Sequence, residues 1–156
     1  MNKLFEQKYK ECEKSLFLIA IGYLHNTEDA KDCMQEAALS AYRAFNSLKN
    51  KDYFKTWITR ILINKCKDFL KKQKYTDELT DTLNVFYEIP EKEVEVVDAL
   101  CKIKPDISIY ITLRYYNDMT YNDVAKALRQ PVSTVKYRTK NALNELKKYL
   151  EGDVTV

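Results

Sequence analysis

Glycine and proline are scarce in this sequence of 156 residues, which has two glycines and three prolines. Both residues mark turns, so their scarcity argues against a fold built from hairpins and favours helices. Histidine occurs once, as His25, beside a predicted helix junction where a structural role is the simpler interpretation. The longest apolar run, residues 16–24, is too short to span a bilayer.

The sequence also lacks the arrangements that catalytic and metal sites need. None of its four cysteines forms a C-x-x-C pair, and each lies in a helical pattern, which favours small apolar core residues in a reducing cytosol. No nucleophile–base pair, metal-ligand spacing or glycine-rich phosphate loop occurs. The first residues, MNKLFEQKYKE, show no secretory signal. We therefore expect a cytoplasmic protein that is not an enzyme and has no cofactor, metal or small-molecule substrate.

The net charge of +3 is distributed unevenly along the chain. Residues 1–75 carry 15 basic and 9 acidic side chains, residues 76–106 carry 3 and 9, and residues 107–156 carry 8 and 5. Two basic blocks therefore flank an acidic segment. The overall charge is too small to establish a nucleic-acid partner by itself.

Apolar residues recur at helical spacing in the first half of the chain and predict three helices. The first covers about residues 2–24, the second lies between HNTED and NSLKNKD, and the third begins near Phe54 and is closed by KKQK. Asn26 or Thr27 can cap the second helix. Trp57 lies on the apolar stripe of the third helix, which favours a core position over stacking on a base. The other side of that helix carries Thr56, Thr59, Arg60, Ile63, Asn64, Lys67 and Lys71.

The second half of the chain predicts four more helices, at about residues 93–103, 106–116, 120–128 and 132–150. Thr120 and Asp123 form a capping-box-like start for the third of them. Residues 75–92 are acidic and show no sustained period, which indicates a flexible linker. The predicted fold is all-α, with two small helical domains: residues 1–74 with three helices, and residues 93–150 with four, followed by a tail at 151–156.

The last two predicted helices, separated by a break of three or four residues, have the pattern of a helix-turn-helix. The early part of the second one projects hydroxyls and cations: Ser133, Thr134, Lys136, Tyr137, Arg138 and Lys140. Such groups grip phosphates, and lysine or arginine can reach guanine edges in a major groove. A helical hairpin with a solvated basic face is the alternative interpretation.

Residues 99–150 closely resemble region 4 of the sigma-70 family, in its small extracytoplasmic-function (ECF) group. The matching residues lie in LRYY (113–116), TYNDVA (120–125) and PVSTVKYR (131–138), with Ala142 and Leu146 beyond them. The front half resembles region 2. There EDAKDCMQEAALSAYRAF supplies Asp29, Asp32, Gln35 and Glu36, and FKTWITRILINKCKDFLKK supplies Trp57, Arg60, Ile61, Asn64, Asp68 and Lys71. Both regions in this order, joined by an acidic linker, make the resemblance specific.

The resemblance implies an initiation factor that binds core RNA polymerase, reads the −35 promoter element as duplex with region 4 and opens the −10 element with region 2. It assigns docking on the polymerase β′ clamp helices to Glu28, Asp32, Gln35 and Glu36, and places region 4 at the β flap. The −35 contacts fall on the six residues 133–134, 136–138 and 140. The −10 contacts fall on Asn46, Lys49, Thr56, Arg60, Asn64, Lys67 and Lys71, with the loop of residues 45–53 capturing a flipped base.

The resemblance also implies a protein partner that controls the factor. Relatives are usually held inactive by an anti-sigma factor, often anchored in the membrane, which would keep this protein at the inner face of the membrane. In relatives the linker threads the active-site cleft and RNA exit channel of the polymerase. Phe86, Tyr87 and Ile89 are its candidate anchors here.

The sequence departs from the family pattern at several positions. Arg129 stands in the turn where the family often has glycine, and Ser133 replaces another frequent glycine. Ile63 replaces a commonly basic residue on the DNA-facing helix. Lys140 and Asn141 stand where several relatives have larger or basic base-reading groups. The promoter sequence therefore does not carry over from a relative.

Two other functions are compatible with parts of the sequence. A helix-turn-helix regulator acting without core polymerase accounts for residues 93–150 but leaves residues 25–72 unused. A helical protein-interaction module with no role on DNA predicts no salt-sensitive DNA binding. Co-purification with core polymerase separates the first from a sigma factor.

Overall fold

The structure is a computed structural model that describes residues 2–76 and 94–151, apart from the side chains of residues 74–76, 94 and 96. These two stretches form seven α-helices and no β-strand: α1 (Lys3–Leu24), α2 (Thr27–Ala44), α3 (Phe54–Thr76), α4 (Val94–Lys102), α5 (Pro105–Ile111), α6 (Tyr121–Leu128) and α7 (Val132–Leu150). The predicted all-α fold is confirmed. Most of the predicted linker, including Phe86, Tyr87 and Ile89, lies outside the described residues, as do residues 152–156.

Side-chain caps fix the starts of the first two helices. The Asn2 side chain accepts hydrogen bonds from the backbone N–H groups of Leu4 and Phe5 and starts α1. The helix ends at Leu24, and the next residue, His25, has a left-handed backbone with φ of 54°. The Asn26 side chain then accepts from the Asp29 N–H at 3.0 Å and starts α2, as predicted.

Helices α1, α2 and α3 pack against one another around an aliphatic and aromatic core. Leu16, Ile19, Ile58 and Leu62 are each at most 1% exposed, and burying such a side chain stabilises a fold by about 1.5–3 kcal/mol. All four cysteines are buried, in agreement with the sequence interpretation. Trp57 is half-buried, packs against this core and lies 5.9 Å from the ring of Phe54.

Helices α4 to α7 form the second group, and α6 and α7 make the predicted helix-turn-helix. Thr120 and Asp123 form a complete capping box at the start of α6. Arg129 ends that helix with φ of 54° and ψ of 52°, so the turn adopts the left-handed conformation that glycine enters most easily. Between α5 and α6, residues Thr112–Tyr116 form a π-helical turn, which the periodicity did not predict.

The two helix groups contact each other, and this packing was not among the sequence predictions. Helix α1 packs on α4 and α5, while α3 packs on α6. The Ser15 hydroxyl donates to the Tyr116 carbonyl at 3.2 Å, and the Cys101 thiol donates to the Ile21 carbonyl at 3.9 Å. Within the described residues, no helix combines the length and apolar character that crossing a membrane requires.

Candidate nucleic-acid interface

The first three turns of α7 expose most of the residues that the sequence assigned to the −35 element. Ser133, Lys136, Tyr137, Arg138 and Lys140 are exposed, and Thr134 is half-exposed. Val135 and Thr139, which alternate with them, are buried against the rest of the group. Tyr137 is 68% exposed, which is high for an aromatic residue. The helix therefore presents hydroxyls, an aromatic ring and three cations on its outer side.

One of these cations, Arg138, is hydrogen-bonded to a buried tyrosine, Tyr110. The Arg138 Nη1 atom donates a hydrogen bond to the Tyr110 hydroxyl at 3.1 Å. That hydroxyl in turn donates to Oε1 of Gln130 at 2.6 Å. The bond to Tyr110 raises the pKa of the Arg138 guanidinium. The sequence interpretation missed Tyr110, because it stands between the apolar residues Ile109 and Ile111 and its hydrogen-bond partners are far away along the chain.

The residues assigned to the −10 element follow one side of α3. Asn64, Lys67 and Lys71 are exposed, while Thr56 and Arg60 are half-buried. Two neighbours on the side that the sequence marked as polar behave differently: Thr59 is fully buried and Ile63 is 3% exposed. Helix α6 packs against α3, and Arg60 and Ile63 line one cleft with Ala127 and Leu128, so part of the predicted open face is an internal contact.

Arg60 lies at the centre of that contact. Its Nη2 atom donates a hydrogen bond to the backbone carbonyl of Lys126 on α6. Its Nε atom is buried without a hydrogen-bond partner among the described residues. Burial, and after it the charge of Arg129, lower the pKa of Arg60. A second contact lies nearby: the Lys126 ammonium is 4.9 Å from the ring centre of Tyr53, beside the start of α3.

The segment between α2 and α3 is held by its own hydrogen bonds. It contains two short 3₁₀ turns, Phe45–Ser47 and Lys51–Tyr53. The Lys51 ammonium donates to the carbonyls of Phe45 and Leu48, and lies 4.4 Å from the centre of the Phe45 ring. Asn46 and Lys49, the two residues assigned to the −10 element here, are exposed. The loop therefore presents polar side chains on an ordered backbone.

The acidic face of α2 lies on a different surface. Glu28, Asp32, Gln35 and Glu36 are all exposed. Partial burial, followed by the charges of Asp32 and Glu28, raises the pKa of Asp29. The same helix also exposes Leu39 at 50% and Tyr42 at 43%. Tyr42 follows the apolar helical spacing of Ala30, Ala37 and Ala41, which predicts a buried position, so the apolar character of this surface was missed.

Comparison with known proteins bears on both helix groups. Residues 9–76 match the family model of Sigma-70 region 2, and residues 106–148 match that of Sigma-70, region 4. The chain is 30% identical over 129 residues to the ECF RNA polymerase sigma-E factor of Haemophilus influenzae, covering 70% of this chain and 68% of the relative. It is 28% identical over 135 residues to the RNA polymerase sigma factor SigV of Bacillus subtilis, covering 84% and 81%.

A solved structure has the same fold across nearly the whole chain. The sigma factor RpoE from Bartonella quintana, in complex with the anti-sigma factor NepR, matches with a TM-score of 0.82. The match covers 98% of this chain and 100% of that one, at 22% sequence identity.

The two helix groups thus define a protein of bacterial transcription initiation that binds promoter DNA. The chain belongs to the sigma-70 family, in its ECF group. It is a transcription initiation factor that binds core RNA polymerase and promoter DNA, and it is not an enzyme. The match of residues 9–76 decides against a helix-turn-helix regulator that leaves this part unused, and against an interaction module without a role on DNA.

Proposed function

We propose that this sigma factor divides promoter recognition between two domains, residues 1–74 and 93–150, joined by the linker at 75–92 and followed by a tail at 151–156. The outer side of α7 reads the −35 element. The polar side of α3, with Asn46 and Lys49 of the preceding loop, opens the −10 element. The observation that carries the proposal is the outward array on α7, where exposed hydroxyls and cations stand on a rigid helix of a helix-turn-helix.

The −35 assignment is tested by replacing Lys136 or Arg138 with alanine. If either side chain makes a bidentate bond to a base, its removal weakens promoter binding by about 1–3 kcal/mol and relaxes discrimination at one base pair. A side chain that binds only phosphate weakens binding similarly on every sequence when it is removed. Lys147→Ala is the matched control, because Lys147 is an exposed cation near the other end of α7. Unchanged binding in both variants, with intact folding, would refute the assignment.

For the −10 element, we propose that Arg60, Asn64, Lys67 and Lys71, with Thr56 beside them, track the single-stranded backbone while the loop accepts one unstacked base. Asn64→Ala, or replacement of residues 46–51 by a Gly/Ser loop, should then block promoter opening and leave polymerase docking intact. Permanganate footprinting of thymines near the start site measures opening. Normal reactivity with the loop replaced would show that the loop does not capture a base.

We propose that the acidic face of α2, formed by Glu28, Asp32, Gln35 and Glu36, docks on the polymerase β′ clamp helices, with region 4 at the β flap. Asp32→Lys combined with Glu36→Lys should abolish core binding, because like charges then meet across the interface. Glu11→Lys on the exposed side of α1 is the control. Recovery of normal amounts of core polymerase by the double variant would contradict the assignment.

We propose that an anti-sigma factor holds this protein inactive. The support is the likeness to a sigma factor solved together with such a partner, and the direct contact between α3 and α6, which covers part of the −10 surface. Anchoring of that partner would keep the factor cytoplasmic at the inner face of the membrane. Pull-downs from separated membrane and soluble fractions, with the full chain as bait, test both points. Constitutive transcription at normal protein levels, with no partner captured, would refute them.

A further inference from the structure

Where the two helix groups meet, an open cleft of about 400 Å³ lies between α3, α5 and the turn from α6 to α7. Four cations line it: Arg60 and Lys67 from α3, Arg129 from the turn, and Arg138 from α7. One carboxylate, that of Asp106, lies on the same wall. Residues that the proposed function assigns to two separate promoter elements therefore meet in a single basic cleft.

Among the described residues that line this cleft, the four cations outnumber the single carboxylate. Within residues 2–76 and 94–151, none of the four cations forms an ion pair with a carboxylate. Arg60 and Arg129 are close enough for the charge of one to lower the pKa of the other, and the buried Nε of Arg60 has no partner in the same stretches. Bringing guanidinium groups together without an anion costs free energy, because like charges repel more strongly where water is partly excluded.

We propose that this cleft binds a small polyphosphate anion, of the pyrophosphate or nucleoside-polyphosphate class, between the two sigma regions. Guanidinium groups form paired hydrogen bonds with phosphate oxygens, and a lysine adds a mobile point charge. The amide side chains of Asn64 and Gln130 also line the cleft and can donate to further oxygens. The volume lies in the range of small-ligand sites.

A ligand in this position ties the two regions together, because its oxygens contact α3 on one side and the α6–α7 turn on the other. Any ligand that binds only this arrangement stabilises it by mass action. The bound anion occupies Arg60, Lys67 and Arg138, so it competes with promoter DNA for them. This last consequence rests on the proposed function, whereas anion binding itself does not.

The test is isothermal titration calorimetry of the full chain with sodium tripolyphosphate, at fixed ionic strength and without polymerase or DNA. We expect saturable binding with one site per chain. Arg129→Gln and Lys67→Gln should each weaken it about tenfold or more, since each substitution removes a charge-assisted hydrogen bond to phosphate. Lys72→Gln is the matched control, because Lys72 is exposed on α3 and does not line the cleft. Its affinity should equal that of the unchanged protein.

A second titration, with a short single-stranded oligonucleotide in place of tripolyphosphate, distinguishes the source of the phosphate. Binding of tripolyphosphate that depends on Arg129, with oligonucleotide binding that does not, supports the proposal. The proposal is wrong if Arg129→Gln, Lys67→Gln and Lys72→Gln all bind tripolyphosphate as tightly as the unchanged protein. It is also wrong if sodium chloride at the same ionic strength gives the same heat. Binding of the oligonucleotide alone also overturns it, and leaves the proposed promoter contacts unaffected.

Discussion

The Nη2 atom of Arg60 on α3 donates a hydrogen bond to the backbone carbonyl of Lys126 on α6, 66 residues further along the chain. The Lys126 ammonium lies over the ring of Tyr53, next to the same helix. Arg60 is one of the residues that we propose for the −10 element, so the packing of α3 on α6 engages a proposed DNA contact in an internal hydrogen bond. If Arg60 contacts a promoter through Nη2, this hydrogen bond to Lys126 has to break.

A bulky side chain at Ser15 should separate the two helix groups. The half-buried Ser15 hydroxyl donates to the Tyr116 carbonyl across their contact, and Ser15→Trp removes that bond and adds a large ring at the contact. Small-angle scattering should show a radius of gyration several ångströms above the roughly 15 Å expected for a compact chain of this length. Glu11→Trp, one turn earlier on the exposed side of α1, is the control and should leave the radius unchanged. An unchanged radius in Ser15→Trp would show that a large side chain at this position does not separate the two helix groups.

Replacing Arg129 by glycine should stabilise the protein. Arg129 has φ of 54°, and the left-handed conformation costs a residue with a Cβ about 1–2 kcal/mol. Part of this gain is offset by the greater freedom of glycine in the unfolded chain, which leaves about 1 kcal/mol, or a rise of about 2–4 °C in Tm. Asp118→Gly, at φ of 53°, is the comparison. Its gain should be smaller, because aspartate tolerates this conformation better. Calorimetry that finds no gain at Arg129 would contradict the strain argument.

Removing the Tyr110 hydroxyl should weaken the protein's discrimination between −35 sequences without unfolding the domain. Tyr110→Phe keeps the buried ring and deletes the group that accepts from Arg138. Binding to a −35 element and to variants changed at single base pairs should show weaker discrimination, by less than Arg138→Ala causes. Tyr149→Phe, on the last turn of α7, controls for loss of a tyrosine hydroxyl. Discrimination equal to that of the unchanged protein would show that Arg138 needs no support from Tyr110.

The buried thiols should make stability fall at alkaline pH. Burial raises the pKa of Cys12 to about 11 and that of Cys101 to about 12, and it also raises that of Cys66. Because the unfolded thiols ionise near pH 9, their contribution is complete below that pH and is lost as pH rises through the folded values. Over this pH window, ionisation of each thiol can lower the free energy of unfolding by up to about 1.4 kcal/mol per pH unit. Urea unfolding from pH 8 to 11 measures the slope, which should be shallower in Cys12→Ala. A slope that Cys12→Ala leaves unchanged would contradict the assignment.

Helix boundaries followed from the sequence because each helix has its own local signals. The apolar periodicity of α1 to α3 and the Thr120–Asp123 capping box both act within a few residues. The contact between α3 and α6 has no such signal, since Thr59 and Ile63 lie on the side of α3 that carries most of its polar residues. The helix that packs on α3 here, α6, lies more than 60 residues further along the chain. The same holds for the Tyr110–Arg138 bond, which joins two helices that periodicity describes separately.

The most direct test of the central claim is in vitro transcription with purified core RNA polymerase from the same organism, this protein, and fragments of its genome. We expect discrete transcripts that require both the polymerase and this protein. The same start sites should be lost with Asp32→Lys/Glu36→Lys and weakened with Arg138→Ala, while Lys147→Ala leaves them unchanged. Specific DNA binding without any transcript in the presence of core polymerase would contradict the account.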